Sequence, residues 1–162
     1  MTDHDAIRNL IARYCRGIDR RDRPLVRGCF HPDATDDHGT GPRPIEEFLD
    51  WCFNLLDGYD CTFHMVGQSL ISVDGAVDSG GAGARVETYG IAHHRSAGGP
   101  DHRNLVTGFR YLDRLECRID EWRIAERVAV TDWSRVDRES EWWPVPPQLI
   151  QGRSGMDDPS YG

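Results

Sequence analysis

The sequence predicts an α+β fold, in which helices at the start of the chain pack on a sheet built by the rest. Two observations support this prediction. Apolar residues recur every three or four positions as far as Gly58, and every two positions in the segments that follow it. Helices that precede a run of strands are typical of an α+β domain, where they cover one face of an antiparallel sheet. The chain has 162 residues, 38% of them apolar, which suits one hydrophobic core rather than two.

Three helices are predicted before this change of period. The first covers about 16 residues, with Thr2 or Asp3 as its N-cap. Pro24 is expected in the first turn of a short second helix that ends near Cys29. The stretch PIEEFLDWCFNLLDG, which begins at Pro44, gathers its apolar residues on one helical face and predicts the third helix.

Four segments rich in β-branched and aromatic residues predict an antiparallel meander of strands. They are Thr62 to Val73, Arg85 to His94, Asn104 to Leu115 and Glu121 to Asp132. The earlier stretch FHPDATDDHG is predicted to be a turn followed by an irregular edge strand. We expect one domain over residues 1–137 and an extended, proline-rich tail over residues 138–162.

The composition argues against several classes of function. All 19 basic residues are arginine, which excludes catalysis through a lysine Schiff base. The net charge of -8 and the scattered arginines argue against a nucleic-acid partner. The five cysteines contain no C-x-x-C pair, which favours free thiols over disulfides or a zinc site. We expect a cytoplasmic protein with no membrane partner, because the first residues are polar and acidic and no apolar run has membrane-spanning length.

An aspartate at the edge of the buried helical face is the first candidate site residue. On a helical wheel, Asp19 borders the apolar stripe that contains Tyr14, and a carboxylate there needs a partner. On the first long strand, His64 alternates with Phe63 and therefore points to the opposite face of the sheet. If the helices cover that face, His64 lies next to Asp19. Two other interpretations remain: a solvated Asp19 paired with a nearby arginine, and a buried pair with no cavity beside it.

The last predicted strand contains an arginine among small residues. Arg127 alternates with Ala125 and Ala129 on one face, while Trp122 and Ile124 are expected on the other. An inward-facing arginine needs an anion or a polar ligand. We therefore expect Arg127 to face a cavity.

The remaining histidines are not expected to bind a metal ion. His93 and His94 are adjacent on a strand, so they point to opposite faces and cannot bind one metal ion together. His31, His38 and His102 are expected in turns, exposed to solvent. We therefore predict no metal site.

A set of short motifs runs through the first helix and the first long strand. The pattern Y-x-x-x-x-D, formed by Tyr14 and Asp19, is followed by R-D and then by L-x-x-x-F-x-P-D-A. Later come the H-x-x-G-x-x-L-I of residues 64–71 and the E-T-Y of residues 87–89. Together they resemble the SnoaL-like branch of the nuclear transport factor 2 (NTF2) superfamily over residues 3–137. The resemblance implies an NTF2-like conical barrel, with three N-terminal helices packed on a curved antiparallel sheet around a pocket.

Within that superfamily, the chain most resembles cofactor-independent lyases, namely bile acid 7α-dehydratase, scytalone dehydratase and hexachlorocyclohexane dehydrochlorinase. These enzymes share an Asp at the end of the first helix and a His on the first long strand, which Asp19 and His64 match. The sequence shows no second pocket histidine of the kind found in scytalone dehydratase unless His93 or His94 supplies it.

The resemblance implies a dehydratase that removes water from a hydrophobic hydroxylated ring compound, of steroid or polycyclic aromatic type, without a cofactor. Asp19 would orient His64 as the base, and Tyr14, which matches a tyrosine of the bile acid dehydratase, would donate a hydrogen bond. Arg127 resembles an arginine near the dehydrochlorinase pocket and would compensate buried negative charge or orient the substrate. An isomerase, a carbon-carbon lyase acting on an aromatic substrate, and a non-catalytic small-molecule-binding module remain alternatives.

Aromatic side chains are the candidates for binding a small hydrophobic substrate: Phe48, Trp51, Phe63, Tyr89, Phe109 and Tyr111. The resemblance also implies a homotrimer. The tail region is apolar at Trp133, Trp142 and Trp143, and we expect it to pack on its own pocket mouth or on a neighbouring subunit.

Overall fold

The computed structural model describes residues 2–76, 81–96, 104–138 and 143–162. Its first helix, α1 (Asp3–Arg20), begins at the predicted N-cap Thr2, whose hydroxyl accepts a hydrogen bond from the Asp5 N–H at 3.2 Å. The Asp5 carboxylate in turn accepts from the Thr2 N–H, which completes a capping box. The helix ends where Arg21 adopts a left-handed conformation with φ 53°. The buried face includes both candidate site residues of the helix, Tyr14 and Asp19.

Two further helices confirm the predicted order. Helix α2 (Arg23–Gly28) carries Pro24 in its first turn, and the Asp22 carboxylate caps it. Helix α3 (Ile45–Leu56) follows later. A Cβ at Gly17 would lie only 2.6 Å from Val26 Cγ2, so glycine allows α1 and α2 to pack closely. Across the described ranges, no helix has the length and apolar character needed to cross a bilayer.

The strands form one six-stranded sheet in the order β2-β1-β6-β5-β4-β3. Strands β3 to β6 form the predicted antiparallel meander, and each is longer than predicted. The FHPDATDDHG stretch is not an edge, because β1 pairs in parallel with β6 and the short β2 is the edge beyond it. The strands are β1 (Phe30–Asp37), β2 (Arg43–Pro44), β3 (Tyr59–Ala76), β4 (Ala82–Ser96), β5 (Asn104–Arg118) and β6 (Glu121–Asp137).

The sheet curves around α1, because α1 contacts both β3 and β6 although two other strands lie between them. Within the described residues, no strand pairing joins β3 to the β1–β2 edge. The curved sheet of the predicted conical barrel is therefore present, but it is open rather than closed. Helix α3 contacts β1, β2 and β3, so it spans the gap between the two edges.

Strand β6 contains a bulge that changes which side chains face the helices. The β5–β6 register shifts at Ala125, which is the extra residue. The alternation changes by one position there, so Trp122 and Ile124 are buried on the same face as Arg127. The Trp122 indole N–H donates to Asp3 of α1 at 3.0 Å. The prediction that placed Trp122 and Ile124 on the opposite face is wrong.

The C-terminal tail folds back onto the outer side of α1 and ends in a short 3-10 helix, Pro159–Tyr161. Arg20 forms an ion pair with Asp158 at 3.6 Å, and the Arg16 guanidinium lies 4.5 Å from the centre of the Tyr161 ring. The Tyr161 hydroxyl donates to the Asp22 carboxylate at 2.8 Å. The end of the chain is therefore fixed to the last turns of α1. The predicted role of Trp142 lies outside the described residues.

Candidate active site

A cavity of about 180 Å³ lies between the concave face of the sheet and the helices α1 and α3. Most of its wall is apolar or aromatic, and three histidines, His38, His64 and His94, line it. These histidines come from the end of β1, from β3 and from β4. The described tail residues do not line this cavity, so of the two predicted positions of the tail, the pocket mouth of its own chain is not supported.

The His64 imidazole and the Asp19 carboxylate form a hydrogen-bonded pair at the cavity wall. The His64 ring nitrogen Nδ1 lies 2.7 Å from Asp19 Oδ1, and the His64 backbone N–H donates to Asp19 Oδ2 at 2.9 Å. Both side chains are 8% exposed. In the neutral imidazole, this contact places the proton on Nδ1, which donates to the carboxylate and leaves the Nε2 lone pair free. The structure thus brings together the two residues that the sequence pairs across 45 positions.

Tyr14 lines the same cavity from α1. Its ring meets the rings of Phe30 and Tyr111 edge-on, with centroid distances of 5.8 and 5.7 Å. Burial, and then the neighbouring Tyr111, raises the pKa of the Tyr14 hydroxyl well above its ordinary value of 10.0. The phenol therefore remains protonated at neutral pH, and it can act as a hydrogen-bond donor but not as a base.

His94 supplies the second pocket histidine. Its ring lies 5.6 Å from the His64 ring and 5.0 Å from the Tyr59 ring, between centroids. Burial, and then the nearby His64, lowers its pKa from 6.5 to about 4. Its Nδ1 is buried, and none of the described residues hydrogen-bonds it. His94 is therefore a neutral imidazole at pH 7, with one nitrogen free to bond a ligand.

We expect the burial of neutral His94 to lower the stability of the protein as the pH falls. Its folded-state pKa, about 4, is below the ordinary value of 6.5, so between these pH values the unfolded chain binds a proton that the folded chain does not. The free energy of unfolding should therefore decrease from pH 6.5 towards pH 4, by up to about 3 kcal/mol. Urea unfolding at several pH values should give a flatter profile for His94→Gln than for the wild type. An equal flattening in His93→Gln, on the opposite face of β4, would contradict this assignment.

Arg127 does not face the cavity as predicted. It is buried, and its Nε and Nη2 donate to the two oxygens of Asp113, each at 2.7 Å. Its guanidinium also lies 4.1 Å from the Tyr14 ring centre and 3.9 Å from that of Tyr111. Burial alone would lower the pKa of Arg127, but the Asp113 carboxylate raises this pKa well above its ordinary value. The anion that an inward arginine needs is thus Asp113, and Arg127 supports the two tyrosine rings from behind.

The predicted substrate-binding aromatics divide into two groups. Trp51, Phe109 and Tyr111 line the cavity. Phe48 is buried in the core beside it and stacks on His38. Phe63 and Tyr89 lie on the outer face of the sheet, 52% and 42% exposed, so their predicted position in the pocket is wrong. For Phe63 the strand alternation with His64 already indicated this outcome.

Two histidines predicted to lie in solvated turns are hydrogen-bonded, and they are buried or partly buried. His31 is buried and bonds the Glu116 carbonyl oxygen through Nε2 at 3.0 Å. His38 lines the cavity, and its Nδ1 is hydrogen-bonded to the buried Asp36 carboxylate. His38 continues the alternation of the buried residues Ala34 and Asp36, whereas His31 lies at the irregular start of β1, where the β1–β6 register shifts. The sequence prediction missed both positions because it placed these histidines in turns. His102 lies outside the described residues.

Comparison with known proteins places the chain in a family. A family model for the SnoaL-like domain matches residues 1–128. The chain belongs to the SnoaL-like domain family. No curated protein matches this SnoaL-like chain significantly.

Solved structures share the fold of this SnoaL-like domain at low sequence identity. Hexachlorocyclohexane dehydrochlorinase LinA type 3 from Novosphingobium barchaimii superposes with a TM-score of 0.72 and 14% identity, over 89% of this chain and 94% of that chain. A scytalone-dehydratase-like protein from Novosphingobium aromaticivorans gives 0.70 and 13%, over 96% and 93%. A Mycobacterium tuberculosis protein of unknown function gives 0.64 and 25%, over 78% and 70%. At 14% and 13% identity, the similarity to the dehydrochlorinase and to the scytalone-dehydratase-like protein shows only that the fold is shared.

A cysteine of α3, Cys52, also lines the cavity of this SnoaL-like domain. Burial raises the pKa of this thiol to about 12, so it is no nucleophile at neutral pH. As far as the structure describes the chain, no three His, Cys, Asp or Glu side chains come together as a metal-binding group.

Proposed function

We propose that the protein is a cofactor-independent carbon-oxygen lyase, a dehydratase that eliminates water from a small hydroxylated ring compound. The observation that carries the proposal is the His64–Asp19 pair, whose ring nitrogen Nδ1 lies 2.7 Å from the carboxylate at the wall of an apolar cavity. A neutral imidazole held in one tautomer is a suitable base for removing a proton from carbon. The fold shared with a dehydrochlorinase and a scytalone-dehydratase-like protein supports the same reaction class.

In the proposed reaction, His64 Nε2 removes a proton from the carbon next to a substrate carbonyl group. Tyr14, protonated because burial raises its pKa, donates a hydrogen bond to the carbonyl oxygen, where negative charge develops. The free Nδ1 of His94 offers a further hydrogen-bonding position for a substrate hydroxyl. Arg127 does not contact the substrate in this reaction. It binds Asp113 and packs against the rings of Tyr14 and Tyr111.

The size of the cavity favours a substrate of one or two rings. Pockets for drug-sized ligands usually enclose about 300–1,000 Å³, whereas this cavity measures about 180 Å³. Of the two substrate types implied by the sequence, a bicyclic aromatic compound therefore suits the cavity better than a four-ring steroid. The aromatic wall formed by Trp51, Phe109 and Tyr111 suits a flat ring.

The test is to incubate the purified protein with 3-hydroxy-1-tetralone and, separately, with a hydroxylated ketosteroid, and to analyse products by mass spectrometry. We expect the bicyclic ketone to lose one water and give 1-naphthol after tautomerisation. An unchanged mass would indicate either an isomerase or a carbon-carbon lyase that opens the hydroxylated ring by retro-aldol cleavage, and the aldehyde signal in the proton NMR spectrum of the product would identify the lyase. Binding of both compounds without any turnover would favour a non-catalytic binding module.

We also propose that the chain forms a homotrimer through the outer face of its sheet. Met65, Tyr89 and Trp133 are exposed there and line one shallow groove. A continuous exposed apolar surface of this kind is usually covered by another protein surface. Light scattering should give three times the 18.4 kDa of one chain, and Trp133→Glu should lower that mass. A wild-type mass of a single chain would contradict the proposal.

A further inference from the structure

A second histidine–carboxylate pair lines the cavity, formed by His38 and Asp36. In the sheet, β6, β5 and β4 lie between β1, which ends next to His38, and β3, which carries His64. The two pairs therefore lie on opposite walls. A row of aromatic rings runs between them. The His64 ring lies 6.0 Å from the Phe109 ring, and the His38 ring lies 6.4 Å from the Tyr111 ring, with 4.5 Å between Phe109 and Tyr111.

The His38 ring is held in a defined orientation. Its Nδ1 is hydrogen-bonded to Asp36 Oδ1, and its face stacks on the Phe48 ring with a centroid distance of 5.0 Å and an interplanar angle of 23°. Trp51 packs against it at 5.9 Å. These contacts leave Nε2 as the ring nitrogen available to the cavity. The two pairs therefore present one imidazole nitrogen each from opposite sides.

The charges around the two pairs differ. Asp19 accepts two hydrogen bonds, one of them from the backbone. Asp36 is completely buried, and its Oδ2 has no hydrogen-bond partner among the described residues. The nearby Arg127 is bound to Asp113 through two N–H groups. In the described part of the chain, Asp36 pairs with no arginine, and a proton on His38 would supply its counter-charge.

We propose that His38 is a catalytic residue, the general acid that protonates the departing hydroxyl group. The inference rests on the dehydratase function proposed above. His64 removes the proton from carbon, the electron pair forms the new double bond, and the carbon-oxygen bond breaks. The oxygen takes the His38 Nε2 proton and leaves as water. His38 is then neutral and His64 protonated. Exchange with solvent restores both, and the 26% exposure of the His38 side chain gives it access to water.

The assignment distinguishes two kinds of leaving group. A hydroxyl group needs a proton to leave, whereas acetate leaves without one. In His38→Gln, we expect kcat/KM for 3-hydroxy-1-tetralone to fall by about 10²–10³-fold, and kcat/KM for 3-acetoxy-1-tetralone to change little. His31→Gln, at the start of β1 and away from the cavity, is the matched control. Equal losses on the two substrates, or no loss on the hydroxy compound, would overturn the assignment.

Two further measurements keep the inference separate from the proposed function. If His64→Ala retains turnover of both tetralones, the proposed function fails and not merely the role of His38. The ring ¹⁵N shifts of the free wild-type protein, assigned through His38→Gln and a His64→Gln variant, test His38 without any substrate. The general-acid role requires a proton on both ring nitrogens of His38. A neutral His38 ring would refute the general-acid role even if neither tetralone is turned over.

Discussion

Replacing Asp19 with asparagine should lower kcat for water elimination by about 10³–10⁴-fold without unfolding the protein. Asp19 accepts two N–H donors, the His64 backbone N–H at 2.9 Å and the His64 ring Nδ1–H at 2.7 Å. An amide has a single acceptor oxygen, and the backbone N–H can act only as a donor. In the Asp19→Asn variant, the side-chain amide oxygen would therefore turn to the backbone, and the NH₂ group would face Nδ1.

The consequence of that rotation is a change of tautomer. A ring Nδ1 that faces an NH₂ donor must accept, so the imidazole proton moves to Nε2, the nitrogen that should act as the base. His64 Nε2 can then no longer act as a base, although the side chains of residues 19 and 64 remain in contact. Steady-state kinetics on 3-hydroxy-1-tetralone would measure the effect, with the exposed Asp57→Asn as the control. Wild-type kcat in Asp19→Asn would show that the pair is structural.

Replacing Asp113 with asparagine should destabilise the protein by about 3–5 kcal/mol. The Arg127–Asp113 pair has no exposed side-chain surface, so the variant leaves a buried guanidinium without its counter-charge. The tyrosine rings on Arg127, at 4.1 and 3.9 Å, offer only partial compensation. Denaturant unfolding would measure the change in the free energy of unfolding.

A surface pair of the same chemistry provides the control. Arg110 donates to both oxygens of Asp132, but these side chains are 27% and 36% exposed, so Asp132→Asn should cost less than about 1 kcal/mol. The double variant Arg127→Met with Asp113→Leu should recover much of the stability lost in Asp113→Asn, because it removes both buried charges. Similar losses for Asp113→Asn and Asp132→Asn would contradict this account of the buried pair.

The helices and the His64–Asp19 contact could be predicted from the sequence because they depend on local periodicity. The apolar spacing of α1 places Asp19 beside its buried face, and strict alternation in β3 separates His64 from Phe63. Asp113 could also have been found, since it follows Phe109 and Tyr111 at alternate positions of β5 and therefore shares their face. The sequence prediction treated Arg127 of β6 alone and did not consider Asp113 on the neighbouring strand β5.

Two errors have a non-local origin. The bulge at Ala125 shifts the alternation of β6, and only the pairing with β5 shows where the extra residue lies. One extra residue was therefore enough to misplace Trp122 and Ile124. The position of β1 depends on a parallel pairing with β6, a strand some 90 residues later in the chain, so local turn signals in FHPDATDDHG gave the wrong environment for His38.

The attachment of the tail has a practical consequence for handling the protein. Arg16 and Arg20, which bind the last residues of the chain, lie in the same turns of α1 as Asp19. A purification tag fused after Gly162 would directly adjoin Tyr161, whose hydroxyl bonds Asp22 just beyond the helix. Such a fusion could displace the helix end and move the carboxylate that orients His64. Kinetic measurements are therefore best made on protein without a tag at this position.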